Sequence, residues 1–389
     1  MKKITFALLL ACLWLVDLSA QDNDDKNAAF QLSFVPPLST QGLQAPKYTN
    51  AISVNMLAGV SKNVTKFSLS GIGMYVLNDI SGVHFSGVGT IAGNNGSGVL
   101  ASGVLNRTND FQGFQMSGVL NLANEVEGFQ IAGMGNVSVG DLDGFQIGGV
   151  VNTARVMNGF QVSGAINQAK QTNGFQVGGL VNVADELNGF QVASLANKAE
   201  NVNGSQIAGL VNVAKSVSGF QIGVLANISD DCDYPIGLVN IVRNGGEMSL
   251  GLTYDAIGTT MLSFRSGGRI LYGIVGIGFN HELHSKKFMT EGGFGAHIPI
   301  TSRFRINNEL KSNLNIAKKS IQHQSFAIMP AFKVCPGWEV FAGPSINYLM
   351  TENTNERGVF PGHSIWKKFR DDKLKQVYIG FSVGTHIIF

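Results

Sequence analysis

The sequence predicts an all-β fold in two parts: a β-solenoid of 15-residue repeats and, after it, an antiparallel β-barrel of the outer-membrane type. Three observations predict it. A Gly-Phe-Gln motif returns about every 15 residues through the middle of the chain. Apolar and polar residues alternate in the last third as they do on barrel strands. The composition, with 49 glycines against 9 prolines and 14% charged residues, fits neither disorder nor collagen, because Leu, Ile, Val and Phe remain abundant. A formal net charge of +2 over 389 residues gives no reason to expect a nucleic-acid partner. Beyond the N-terminus, no apolar run approaches the ~20 residues that a membrane helix needs.

Residues 1–20 read as a cleaved secretory signal peptide. Met1-Lys2-Lys3 supplies the positive start, Ile4 to Val16 the apolar stretch, and Leu18-Ser19-Ala20 the small-residue end before Gln21. Cys12 invites a lipoprotein reading, but apolar sequence continues beyond it and Leu9-Leu10-Ala11 fits a lipidation signal poorly. The remaining cysteines, Cys232 and Cys335, stand about a hundred residues apart. They could form a disulfide in an oxidising compartment or remain two buried thiols, and the second reading is preferred. Residues 21–49 form an N-terminal segment with one strand, Phe30–Val35.

Residues 50–245 carry the repeats, about thirteen of them. The Phe series runs Phe114, Phe129, Phe145, Phe160, Phe175, Phe190 and Phe220, with Ser205 in the missing place. The Gln series runs Gln115, Gln130, Gln146, Gln161, Gln176, Gln191, Gln206 and Gln221. The Asn series runs Asn121, Asn136, Asn152, Asn167, Asn182, Asn197, Asn212 and Asn227, and reaches Asn240 after a shortened unit. Within one unit, alternation puts Phe175, Val177, Val181, Val183 and Leu187 on one face, and Gln176, Gly178, Asn182 and Ala184 on the other. Asn-Gly pairs such as Asn173-Gly174 mark turns between units, since both residues tolerate positive φ.

Two architectures satisfy this pattern. In a solenoid each unit is one coil, and identical residues stack into Phe, Gln and Asn ladders. In the alternative, each unit is one strand of a single large barrel of about 22 strands that includes the repeats. The solenoid is preferred. Neighbouring barrel strands run in opposite directions and would repeat as a hairpin of about 30 residues, whereas coils all meet the same environment.

Residues 246–389 form the barrel-like region. Candidate strands are Met248–Ile257, Thr260–Arg265, Ile270–Asn280, Phe288–Ile300, Arg303–Ile316, Ser325–Val334, Glu339–Met350 and Val377–Phe389. Eight strands suffice for the smallest membrane barrel. The last strand ends on Phe389, read as a barrel-assembly signal. Thr351–Lys375, rich in Lys, reads as a solvated loop.

The recurrent Gly-Phe-Gln-Ile/Val and Gly-Leu-Val-Asn-Val-Ala text, followed by Val340-Phe341-Ala342-Gly343-Pro344-Ser345, resembles the bacterial surface repeat-containing outer-membrane proteins. The likeness covers roughly residues 50–350. It implies a bacterial outer-membrane or cell-surface address and supplies no catalytic residues. Ser205 for Phe and Ser194 for Gly are local departures.

No catalytic, cofactor-binding or metal-binding residue is singled out. His281-Glu282-Leu283-His284 lacks the two-residue spacing after Glu that puts both histidines of a zinc helix on one face. Gly273-Ile274-Val275-Gly276-Ile277-Gly278 has no helix after it to hold a phosphate and reads as a barrel strand. The Gln and Asn columns could form a polar array for a surface glycan or a protein partner, but mutual hydrogen bonding that holds the stack is the stronger reading. The expectation is therefore a non-enzymatic outer-membrane protein with a structural or adhesin-like role, whose partners are membrane lipid and the barrel-assembly machinery. The alternative is a pore or transporter built as one large barrel.

Overall fold

The computed structural model describes residues 26–283, 287–315, 321–351, 361–370 and 373–389. The signal-peptide reading and the centre of the Thr351–Lys375 segment lie outside them. Of the described residues 76% are in strands, and they form a β-solenoid of about 13 turns and a closed eight-stranded antiparallel barrel. The repeats are therefore coils, and the single large barrel that includes them is not formed. The chain divides into two compact units, one ending at Ile147 and one beginning at Gly148.

In the first unit the strand Lys26–Val35 pairs in parallel with Tyr48–Asn55, placing Phe30 beside Ile52 and Gln31 beside Ser53. Each later coil repeats the parallel step one turn on, as in Phe114 beside Phe129 and Gln115 beside Gln130. In the second unit the register is just as strict: Phe160, Phe175 and Phe190 align, as do Gln161, Gln176 and Gln191. A typical coil has a long strand, Glu186–Ala193, and a short one, Ala196–Lys198, joined by tight corners.

The coil interior has two halves. Gln191 and Asn197 fill one half, both fully buried, while Ala184, Leu187, Ala199 and Val202 pack together in the other. Phe190, Val192 and Leu195 point outward. Leu187 thus lies opposite the Phe column and not beside it. The corner at Ala184 to Glu186 shifts the strand phase, which strict alternation across the unit cannot anticipate. The Asn-Gly pairs also differ from expectation. Asn158-Gly159 lies inside the strand Val151–Ser163, and Gly159 adopts φ of 130° there. Glycine is required twice over in this column, because a Cβ on Gly174 would overlap the carbonyl oxygen of Gly159 one coil away.

The barrel strands are Glu247–Asp255, Thr259–Gly267, Leu271–Asn280, Phe288–Pro299, Phe304–Asn315, Ile321–Cys335, Trp338–Thr351 and Lys373–Ile388. Each pairs antiparallel with the next, and the first closes on the last from Ser249 beside Ile388 to Asp255 beside Ser382. These are the eight strands that alternation marks in the sequence, longer by a few residues at some ends. Thr351–Lys375 is not all loop: Trp366–Arg370 pairs antiparallel with the start of the last strand. Among the described residues no helix is long and apolar enough to cross a membrane.

Candidate functional site

Three features merit a functional reading: the amide columns, the outer face of the coils and the barrel lumen. The amide columns are internal and bond from coil to coil, and the Gln column ends at Gln221, whose Oε1 is buried without a partner among the described residues. Gln176 Nε2 donates to Gln161 Oε1 at 2.8 Å and Gln191 donates to Gln176 at the same distance. Gln130 likewise donates to Gln115, and Gln146 to Gln130. The Asn column uses both amide hydrogens: Asn182 Nδ2 donates to Asn197 Oδ1 at 2.9 Å and to the Val192 carbonyl at 2.8 Å. An amide carries donors and an acceptor, so one residue type satisfies itself at every level. Each such bond contributes about 1 kcal/mol net, but losing one strands a buried partner. None of these amides reaches the surface, and a glycan or partner has no access to them.

Upstream the ladder gives way. The Gln column reads Leu100, His84, Ser68 and Ser53 on descending from Gln115. His84 is fully buried, and its Nδ1 bonds the Ser68 hydroxyl at 2.9 Å. Burial disfavours its charged form and lowers its pKa from 6.5 to about 4. In the second unit Cys232 is half-buried, and burial pushes its thiol up to about 11. Cys232 and Cys335 are both free, and Cys335 is exposed rather than buried.

The Phe column lies outside. Phe160 and Phe175 stack at 4.9 Å between centroids, and Phe175 and Phe190 at 5.2 Å, with rings within 9° of parallel. In the first unit Phe129 and Phe145 stack at 4.8 Å. Ser205, between Phe190 and Phe220, breaks the column. Face-to-face stacking turns only ring edges outward. A sugar would need an open ring face, so the column suits an apolar contact better than a glycan. Sequence reasoning missed the parallel exposed columns, Val177, Val192 and Ile207 in one, Leu180, Leu195 and Leu210 in the next. It also missed a second, exposed amide ladder in which Asn173 Nδ2 donates to Asn158 and Asn188 to Asn173.

The barrel is polar inside and apolar outside. Arg265 Nε meets Glu309 Oε1 at 2.7 Å with both side chains almost wholly buried. Tyr272 donates to the same carboxylate, and Lys311 lies 3.3 Å from Glu309 and 3.4 Å from Glu291. A second group joins Arg305 to Glu247 at 2.6 Å and to Glu339 at 2.8 Å, with His386 Nε2 3.0 Å from Glu339. A third places His323 Nε2 3.0 Å from the Tyr378 hydroxyl. The cavity beside Asp255, Glu291, Lys311 and Ser345 has room for about one water molecule. The signal for this network was legible, since Arg305, Asn307, Glu309, Lys311 and Asn313 stand at alternate positions of one strand.

Of the other motifs, His281 Nε2 bonds the Thr260 hydroxyl at 2.8 Å, and His284 lies outside the described residues. No group of His, Cys, Asp and Glu suited to a metal occurs among the described residues. Gly273 to Gly278 lies within the third barrel strand. Phe389 is exposed at the barrel seam, its amide donating to the Met248 carbonyl at 2.9 Å. No protein-family model, curated protein or solved structure matches the chain.

Proposed function

We propose that this protein is an exported, non-enzymatic outer-membrane repeat protein in which the barrel is the membrane anchor and the solenoid is a rigid element for structural or adhesin-like interaction. One observation carries the reading: the barrel inverts the usual distribution of side chains. Leu252, Ile277, Leu310, Ile346 and Ile379 are each more than half exposed on its outer wall, while Arg265, Glu309 and Glu339 are buried in its lumen. An apolar wall on a closed sheet suits hydrocarbon, because closure leaves no backbone group unpaired. The resemblance to bacterial surface repeat-containing proteins and the N-terminal export pattern support the same address. Phe389 at the end of the closing strand is then the mark read by the barrel-assembly machinery. A lumen packed with paired charges argues against conduction, so a pore is the weaker reading.

The test is gel mobility of the full-length chain refolded in detergent, with and without boiling. A faster, protease-resistant band that boiling abolishes is the expected result. A chain that stays soluble and monomeric without detergent, with one mobility in both lanes, sinks the proposal.

A further inference from the structure

The outer face of the solenoid combines features that a water-exposed surface seldom carries together. In the second unit the Phe, Val/Ile and Leu columns run side by side, each member typically about 40% exposed, as at Phe175 (40%), Val177 (42%) and Leu180 (44%). The columns hold no charged residue. Together they leave on the order of 1,000 Å² of contiguous apolar surface, above the few hundred Å² that the largest patch of a soluble monomer reaches. Coil-to-coil pairing also satisfies the backbone along the strip, which hydrocarbon contact demands. Charge gathers at the other corner of the coil, where Asp185, Glu186, Glu200 and Lys215 are exposed and Lys215 pairs with Glu200 at 2.8 Å. The exposed Asn158, Asn173 and Asn188 ladder lies between the two zones.

How the last coil meets the barrel says what covers this strip. The Asn240 amide donates to the Ser266 hydroxyl at 2.9 Å. A Cβ on Gly273 would overlap the carbonyl oxygens of Gly237 and Leu238, and one on Gly292 would touch the Leu238 side chain. Ser266, Gly273 and Gly292 alternate with lumen-facing Arg265, Tyr272 and Glu291, so they belong to the outer wall. Small residues there let the coil seat directly on that wall. Ile298 and Ile300 lie further along the chain than Gly292 and remain about half exposed, at 51% and 54%. The seat is therefore inside the span of the barrel's apolar exterior and not beyond its end.

We propose that the Phe, Val/Ile and Leu columns of the second unit contact lipid, so that these coils lie at the boundary of the bilayer that the barrel spans, apolar strip inward and the Asn ladder and charged corner toward water. The inference rests on the membrane reading of the barrel. An amphipathic surface of this kind binds at the interface plane through its buried apolar area.

The experiment uses the full mature chain from Gln21, with Cys232→Ser and Cys335→Ser, folded into phosphatidylcholine vesicles. A nitroxide is attached at one of four single cysteines: Phe175→Cys and Leu195→Cys on the strip, Glu186→Cys on the charged corner, and Ile379→Cys on the barrel wall. Collision with oxygen, which concentrates in lipid, is compared with collision with a water-soluble nickel chelate. All four sites are exposed, and heat-modifiable mobility verifies folding of each variant. The expected result is an oxygen-to-nickel ratio at Phe175→Cys and Leu195→Cys that approaches Ile379→Cys and exceeds Glu186→Cys several-fold. If both strip labels match Glu186→Cys while Ile379→Cys is lipid-exposed, the strip faces water and the inference fails alone. Strip labels shielded from both reagents overturn it in favour of a second copy of the chain. A water-exposed Ile379→Cys brings down the membrane reading itself.

Discussion

The solenoid and the barrel both bury polar groups and expose apolar ones, yet they fill their interiors with different chemistry. Stacked coils place each residue over its own equivalent, about 4.8 Å away. A charged column would then repel itself at every level, by about 3 kcal/mol per step at an effective dielectric of 20. Among polar side chains only one that bonds its own kind can repeat there, and Gln176 over Gln161 and Asn182 beside Asn197 are of that kind. The barrel has no such symmetry. Its closure sets Arg265 against Glu309 and Arg305 against Glu247 and Glu339, so unlike charges meet across the lumen. Translational repetition selects self-complementary groups; a closed, non-repeating sheet permits complementary pairs.

The largest expected effect breaks the barrel side of this contrast. Arg265→Met leaves Glu309 with only Lys311 and Tyr272 as polar partners and costs about 3–5 kcal/mol, the usual penalty for removing one member of a buried pair. Urea unfolding of the full chain in detergent measures it. The double variant Arg265→Met/Glu309→Leu recovers much of the loss, and no recovery would mean that the pair has other duties in the lumen.

A smaller effect tests the solenoid at the one place where its buried column titrates. The pKa of His84 is about 4 in the fold against about 6.5 when unfolded. Between those values the unfolded chain binds more protons, so folding stability is full above about pH 6.5 and falls as the pH drops toward 4. The loss is on the order of 2–3 kcal/mol by pH 4. His84→Gln abolishes this slope if the assignment is right; an unchanged slope assigns the pH dependence to other groups.

The smallest effect sharpens the reading of the outer column. Ser205→Phe restores the missing ring between Phe190 and Phe220 and adds about 1–2 kcal/mol, from two new stacked pairs at roughly 0.5–1 kcal/mol each. The same urea titration detects it as a higher midpoint at constant slope. A lower midpoint would show that the gap at Ser205 accommodates something that a ring displaces.

Much of this architecture is written in local pattern. The 15-residue period aligns Gln176 with Gln161 and Gln191 whatever the fold does elsewhere, and alternation marks all eight barrel strands. Amide ladders follow from those two facts together with the self-pairing of Asn and Gln. The periodicity does not say which face of a coil turns inward: Leu187 changes sides because the corner before it shifts the phase, and Asn158-Gly159 sits within a strand, in a glycine column where a Cβ on Gly174 would overlap the coil before it.

Sequence by itself determined the repeat, the alignment of its columns and the eight strands of the barrel, because each depends on spacing within a few residues. Tertiary structure alone decided which acid meets which base, as with Arg265 and Glu309, 44 residues apart. It also decided that Ser266, Gly273 and Gly292 form a seat for the last coil. Both depend on which strands closure brings side by side, and closure is a property of the whole sheet that no local spacing records.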